Sequence, residues 1–244
     1  LIDISAPVIT VNGANPATNE CHMAYTDAGA MASDACAGNV TVNTDNPVDA
    51  NVPGIYTVTY TADDGNGNTN TATRTVYVVD TTSPIITYSF TNLTLIANSN
   101  CQAVMPDVTG TNYVVAEDSC SSTVTIPQTP PNNAVLNLGT NEVVLAVIDN
   151  AGNTAYSTNS IVVVDVTAPV ITLNGANPFT VECHGLFADP GASANDNCSG
   201  GVAVATSGGV NPNVPGSYPI EYRATDAAGN SVTNTRFVNV EDTV

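Results

Sequence analysis

The chain has no tryptophan and no lysine, and against 22 acidic residues it sets only three arginines and two histidines, a formal charge of -19 over 244 residues. A surface of that sign repels phosphate backbones and anionic lipid headgroups, which disfavours nucleic acid and membrane surfaces as partners. No run of about 18 apolar residues occurs, so no segment reads as membrane-inserting. The absence of lysine excludes a Lys-Asn isopeptide crosslink as a stiffening device. No nucleophile elbow, phosphate-cradling glycine loop or His-Glu helix motif is present, so no constellation supports catalysis. There is no basic, apolar, cleavable leader. Because Leu1-Ile2-Asp3 and Glu241-Asp242-Thr243-Val244 both read as cut linkers, the expectation is an array longer than this chain.

What is abundant is Val, Ile, Thr and Tyr, the profile of sheets with aliphatic cores. Residues 6–80 align with 168–242 without a gap, and more than half of the aligned positions are identical. Between them lies a divergent copy that shares the start Ser83-Pro84-Ile85-Ile86-Thr87, a cysteine pair and the turn Asp149-Asn150-Ala151-Gly152-Asn153. Three segments follow: 1–80, 81–165 and 166–244. Each begins with an Asp followed four positions later by Pro (Asp3/Pro7, Asp80/Pro84, Asp165/Pro169), with no glycine between, which predicts short, semi-rigid joints.

Within a segment the period is two. Tyr56, Val58, Tyr60 and Ala62 share one face of a strand, as do Val143, Leu145 and Val147, and then Tyr218, Ile220, Tyr222 and Ala224. Each strand turns through a Gly-Asn step (Gly67-Asn68, Gly152-Asn153, Gly229-Asn230) and returns with alternating valines or isoleucine. The fold expected is all-β, three tandem immunoglobulin-like β-sandwiches arranged end to end.

Six cysteines fall two to a segment, and if each unit folds alone the pairs are local: Cys21–Cys36, Cys101–Cys120 and Cys183–Cys198. Disulfides place the chain outside the reducing cytosol, extracellular or on a cell surface. The competing reading is a zinc site of Cys21, His22 and Cys36, whose spacing matches no familiar finger. His22 and His184 sit at equivalent positions beside cysteines, where the middle copy has Gln102; a packed or surface histidine is the expected role. Aspartates recur in register at the linkers, in the closing turns and before each second cysteine (Asp34, Asp118, Asp196). A closing turn shares a pole with its own linker, so Asp80 is expected to approach Asp149 and Asn150, and Asp165 to approach Asp226, as hard oxygen ligands for Ca²⁺. Asx-turns are the alternative use of the same residues. N-x-S/T sequons occur at Asn39, Asn92 and Asn197.

The first and third copies, with Ala-Pro-Val-Ile-Thr, the stretches Asp27 to Asp34 and Asp189 to Asp196, Val-Pro-Gly, and turns such as Asp226-Ala227-Ala228-Gly229-Asn230, resemble the bacterial Ig-like repeat named after a pesticidal crystal protein. The middle copy is similar to hyalin (HYR) repeats, although it lacks Val-Pro-Gly and carries Pro130-Pro131-Asn132-Asn133. Asp80-Thr81-Thr82 and Asp242-Thr243-Val244 resemble a Bacteroidetes O-glycosylation site, which would make Thr81 and Thr243 acceptors. These resemblances imply a non-catalytic stalk or filament segment of a Bacteroidetes-type surface adhesin. Its partners would be neighbouring repeats and further copies, meeting laterally or end to end. The alternative is a module whose loops bind a glycan or protein.

Overall fold

In the first segment, Val58, Tyr60 and Ala62 point inward along one strand and Val76 and Val78 along its neighbour, and all five are buried. The alternation read from the sequence therefore becomes the core of a sheet, and each buried Val or larger side chain adds roughly 1.5–3 kcal/mol. Residues 3–243 are described by the computed structural model, which is all-β among those residues.

The first segment contains β1 (Val8–Val11), β2 (Ala17–Glu20), β3 (Ala30–Asp34), β4 (Gly38–Val40), β5 (Val42–Asp45), β6 (Gly54–Asp63) and β7 (Thr69–Val79). They form a β1-β3-β4 sheet and a β2-β7-β6-β5 sheet, in which only β2 on β7 is parallel. The middle segment contains β8 (Ile85–Ser89), β9 (Asn92–Ile96), β10 (Gln102–Val104), β11 (Val114–Glu117), β12 (Gln128–Thr129), β13 (Val135–Asn137), β14 (Gly139–Ile148) and β15 (Thr154–Val164). Its pairings are β8-β11, β10-β13 and β12-β14-β15-β9. In the third segment, β16 (Val170–Leu173), β17 (Phe179–Glu182), β18 (Ala192–Asp196), β19 (Gly200–Val202), β20 (Val204–Gly208), β21 (Gly216–Thr225) and β22 (Ser231–Glu241) repeat the first arrangement: β16-β18-β19 and β17-β22-β21-β20.

By packing, the described residues fall into two compact units. One takes residues up to Ser89 with Thr109–Pro127 and Leu145–Ser157; the other takes Phe90–Val108, Gln128–Val144 and everything from Thr158. Each unit thus holds one whole outer segment and part of the middle one.

Inside each outer segment a cation stands in the core. Arg74 is 1% exposed and Arg236 is not exposed at all. Arg74 donates from Nη1 to Asp27 Oδ1 and from Nη2 to the carbonyl of Asn12 and, at 3.5 Å, that of Gly29. Tyr60 donates its hydroxyl to Asp27 at 2.8 Å. The third segment repeats the set: Arg236 Nη1 lies 2.6 Å from Asp189 Oδ1, Nη2 reaches the carbonyls of Asn174 and Gly191, and Tyr222 donates to Asp189 at 2.6 Å. Each network ties a strand of the larger sheet to the loop entering the smaller one. That loop needs Gly29, whose φ of 73° lets its N–H return to Asp27 Oδ2 at 2.9 Å. Burial alone would raise the Asp27 carboxyl, but hydrogen bonds from Tyr60, Gly29 and Tyr25 and the Arg74 charge hold it below the usual range. Burial, then the Asp27 bond, pushes Tyr60 up to about 12.

Truncating Arg74 to Met leaves the Asp27 carboxylate buried without its cation, a loss of about 3–5 kcal/mol. Denaturant unfolding should show that loss for Arg74→Met, and most of it should return in Arg74→Met/Asp27→Leu. Equal destabilisation in both variants would contradict the network as drawn.

Candidate functional site

The two ends of a segment are chemically distinct, and β7 measures the distance between them. At its start, Asn68 Nδ2 donates to the Asp3 carbonyl at 3.3 Å, and nearby Ser5 Oγ donates to Asp34 Oδ2 at 3.4 Å. Atoms of Asp3, Asp34 and Cys36 lie within 4.8 Å of one another at this leading pole. At the far end of β7, the Cys21 N–H donates to the Val79 carbonyl at 2.8 Å. Eleven residues of strand separate the poles, which at a rise of about 3.3 Å each is roughly 36 Å.

That separation overturns local pairing. A disulfide needs Cα atoms within about 7 Å, and Cys21 and Cys36 occupy opposite poles. The structure joins Cys21 to Cys120 instead, with Cα atoms 6.0 Å apart, and Cys101 to Cys198 at 5.3 Å. The first cysteine of one segment bonds the second cysteine of the next, and each bond lies inside one compact unit. Cys36 and Cys183 carry no disulfide. The zinc set of Cys21, His22 and Cys36 is not assembled either: His22 lies with Cys21 and Cys120, whose sulfurs are committed to each other. At the other outer segment His184 Nδ1 meets Asn213 Oδ1 at 2.9 Å.

Two local geometries present these sulfurs. The second cysteine always follows an aspartate by two positions, and the carboxylate caps its turn. Asp34 Oδ1 accepts from the N–H groups of Cys36 (2.7 Å) and Ala37 (3.0 Å); Asp118 Oδ1 from Cys120 and Ser121, and Asp196 Oδ1 from Cys198 and Ser199, all at 2.8 Å. The first cysteine of each outer segment sits where the outgoing chain is clamped to its own sheet. Glu20 accepts from the Thr81 N–H (2.8 Å) and Oγ1 (2.9 Å), and Glu182 from the Thr243 N–H (3.0 Å) and Oγ1 (2.7 Å). Thr81 and Thr243, the proposed glycan acceptors, are exposed and already hold these bonds. The sequon residues Asn39, Asn92 and Asn197 are exposed as well.

The acidic residues divide into two sets. Asp149 is consumed by its own turn: Oδ1 accepts from the Ala151 and Asn153 N–H groups and Oδ2 from Asn153 Nδ2, each at 2.8 Å. Asp226 does the same through Asn230. Burial opposes ionisation of both, and the Asn side chains and turn N–H groups overcome it, holding their carboxyls low. Asn153 also donates to the Asp80 carbonyl and Asn230 to the Asp165 carbonyl, both at 3.2 Å, so an asparagine bridges turn and linker where a shared metal was expected. Asn150 is engaged by Thr123 and Ser121. The carboxylates that do face the linker aspartates are those capping the cysteine turns: Asp118 beside Asp80, and Asp196 beside Asp165. Asp80 Oδ2 accepts from Ser121 Oγ at 3.3 Å, whereas Oδ2 of both Asp165 and Asp196 is buried with no hydrogen-bond partner. These pairings escaped the sequence reading, although the in-register aspartates before each second cysteine were its visible signal. An open cleft of about 760 Å³ is lined by Asn98, Ser99, Thr167, Asn195 and Asn197 among others, and no aromatic side chain offers a sugar a stacking face there.

A family model described as bacterial surface protein, Ig-like domain, matches residues 9–78 and 171–240, together more than half of the chain. Hyalin of Strongylocentrotus purpuratus is 29% identical over the whole chain, and an uncharacterized 81.3 kDa protein of Acholeplasma phage L2 is 27% identical over 86% of it. The chain spans 21% and 30% of these relatives. Among solved structures, protocadherin gamma B2 extracellular cadherin domains 3–6 align with 98% of this chain and 77% of their own at 14% identity and a TM-score of 0.38.

Charge acts on the free, exposed thiol at the leading pole: the Asp3 carboxylate, then slight desolvation and Asp34, pushes Cys36 above its ordinary value. In a Cys183→Ser background, iodoacetamide should label Cys36 with a pH midpoint above that of a cysteine in an unstructured peptide, and Asp3→Asn should lower it. Coincident midpoints would remove the electrostatic account.

Proposed function

Because this chain belongs to the bacterial surface protein, Ig-like domain family, we propose that it is a spacer: a segment of a long secreted or cell-surface repeat protein whose successive sandwiches are locked together covalently. The chain is not an enzyme, as the non-catalytic family to which it belongs requires, and it is an extracellular or surface repeat module. The observation that supports a spacer over an independent binding module is the direction of the disulfides. Both join consecutive segments and neither closes a loop within one, so their effect is to restrict a joint. Proline linkers act on the same joints, and the Glu20–Thr81 clamp acts on the first of them. A shaft that holds the tip of an adhesin away from the cell is the finer form of this proposal.

Small-angle scattering should give an extended particle in oxidising buffer. Cys21→Ser/Cys101→Ser should broaden its distance distribution, because each joint then bends more freely. A collapsed particle, or identical curves for the two proteins, would argue against a covalently stiffened spacer.

A divalent cation, Ca²⁺ in particular, is the second reading, with Asp196 in place of Asp226 as the partner of Asp165. Two carboxylates that face each other with buried, unbonded oxygens repel unless a cation sits between them, and Asp165 and Asp196 fit that description with hard oxygen donors. Asp196→Asn keeps the Oδ1 acceptor that caps the Cys198 turn. Calcium should raise the thermal midpoint of the wild-type protein and a chelator should reverse it, while Asp196→Asn should respond to neither. An unchanged wild-type midpoint would remove the cation.

A further inference from the structure

The gapless internal alignment makes Cys183 the counterpart of Cys21 and Cys198 the counterpart of Cys36. Within each pair one member is bonded and the other is not: Cys21 holds Cys120 and Cys198 holds Cys101, while Cys183 and Cys36 are free. The free members are the two complementary halves of the same bond. Cys183 is a first cysteine, beside a Glu–Thr clamp built like the one beside Cys21. Its N–H donates to Glu241 at 2.7 Å as that of Cys21 donates to Val79 at 2.8 Å, and the histidine after it turns through the same left-handed backbone, φ 64° against 61°. Cys36 is a second cysteine and is exposed, in the capped turn that positions Cys120 and Cys198 for bonding.

We infer that Cys183 and Cys36 are chain-joining residues: Cys183 bonds a cysteine held in an Asp-x-Cys turn of a further segment of this kind, and among copies of this chain that partner is Cys36 of a second copy. The inference rests on the spacer reading and adds a polarity to it, since a joint made this way always runs from a first cysteine to a second. Bond formation removes one proton and one electron from each thiol. A small-molecule disulfide such as oxidised glutathione accepts them: its S–S bond breaks to give two thiols as the Sγ–Sγ bond forms. The carboxylates beside Cys36 disfavour its thiolate, so joining should quicken with rising pH and with salt that screens Asp3 and Asp34.

The test is complementation. Wild-type protein, Cys36→Ser and Cys183→Ser are each incubated in a glutathione redox buffer at about pH 8.5, near the ordinary thiol pKa, and followed by non-reducing electrophoresis and intact mass. The wild type should give a ladder of dimers, trimers and longer species that reductant abolishes. Each single variant should lose the ladder, and an equimolar mixture of the two should give dimers containing one of each and nothing longer. Cys36→Ala and Cys183→Ala repeat the experiment should a serine variant fold poorly. Self-dimers of either single variant at the level of the mixture would mean unselective oxidation and overturn the pairing. A wild type that stays monomeric, with its thiols free or bonded to each other within one chain, would overturn it too. Scattering separates the two readings: an extended monomer that does not join loses this inference and keeps the spacer.

Discussion

A guanidinium buried in a chain with three arginines and no lysine is the interaction on which the rest of each outer sandwich depends. Arg74 and Arg236 direct both terminal nitrogens at one carboxylate and two carbonyls, drawn from the turn after the first strand of the segment and the loop before its third. Aliphatic packing between sheets is non-directional and would tolerate sliding. The Arg-Asp-Tyr network is directional, and an uncompensated charge left by any slip would be costly. It fixes how the smaller sheet meets the larger one, and so fixes which loops arrive at which pole.

The polar separation has a covalent consequence. With Cys21 at one end of an eleven-residue strand and Cys36 at the other, neither can serve its own sandwich. Each faces outward along the chain, and the bonds Cys21–Cys120 and Cys101–Cys198 follow that direction. The linker aspartates then come to lie against the aspartates that cap the cysteine turns, concentrating negative charge at each joint. The closing-turn aspartates are kept apart from that concentration by Asn153 and Asn230, which satisfy them and tether the linker carbonyl at once.

Strand identity was legible because the side-chain period is unambiguous: Val58, Tyr60 and Ala62, with Val76 and Val78, are the buried positions the alternation indicates. The Gly-Asn hairpins were legible for the same local reason. Disulfide pairing was not, because cysteine spacing along the chain says nothing about which pole a loop reaches; that is set by the order β2-β7-β6-β5. The buried arginines left a signal that went unread: Arg74 stands two and four positions before Val76 and Val78, on the inward face, and Arg236 repeats it before Val238 and Val240. The middle segment has Asn159 at the corresponding place, also buried, which is why no cation marks its core. The expected approach of Asp165 to Asp226 does not form, because a turn-capping and a metal-ligating aspartate are the same residue type until the third dimension shows which oxygens are occupied: Asn230 occupies those of Asp226, and Asp196 is the carboxylate beside Asp165.

Peptide mapping of the oxidised, non-reduced protein tests the central claim most directly. Digestion with a protease that cuts at acidic residues, as the scarcity of arginine requires, should release Cys21 linked to Cys120 and Cys101 linked to Cys198. Fragments linking Cys21 to Cys36, Cys101 to Cys120 or Cys183 to Cys198 would show sandwiches closed upon themselves and would contradict the covalently coupled joint.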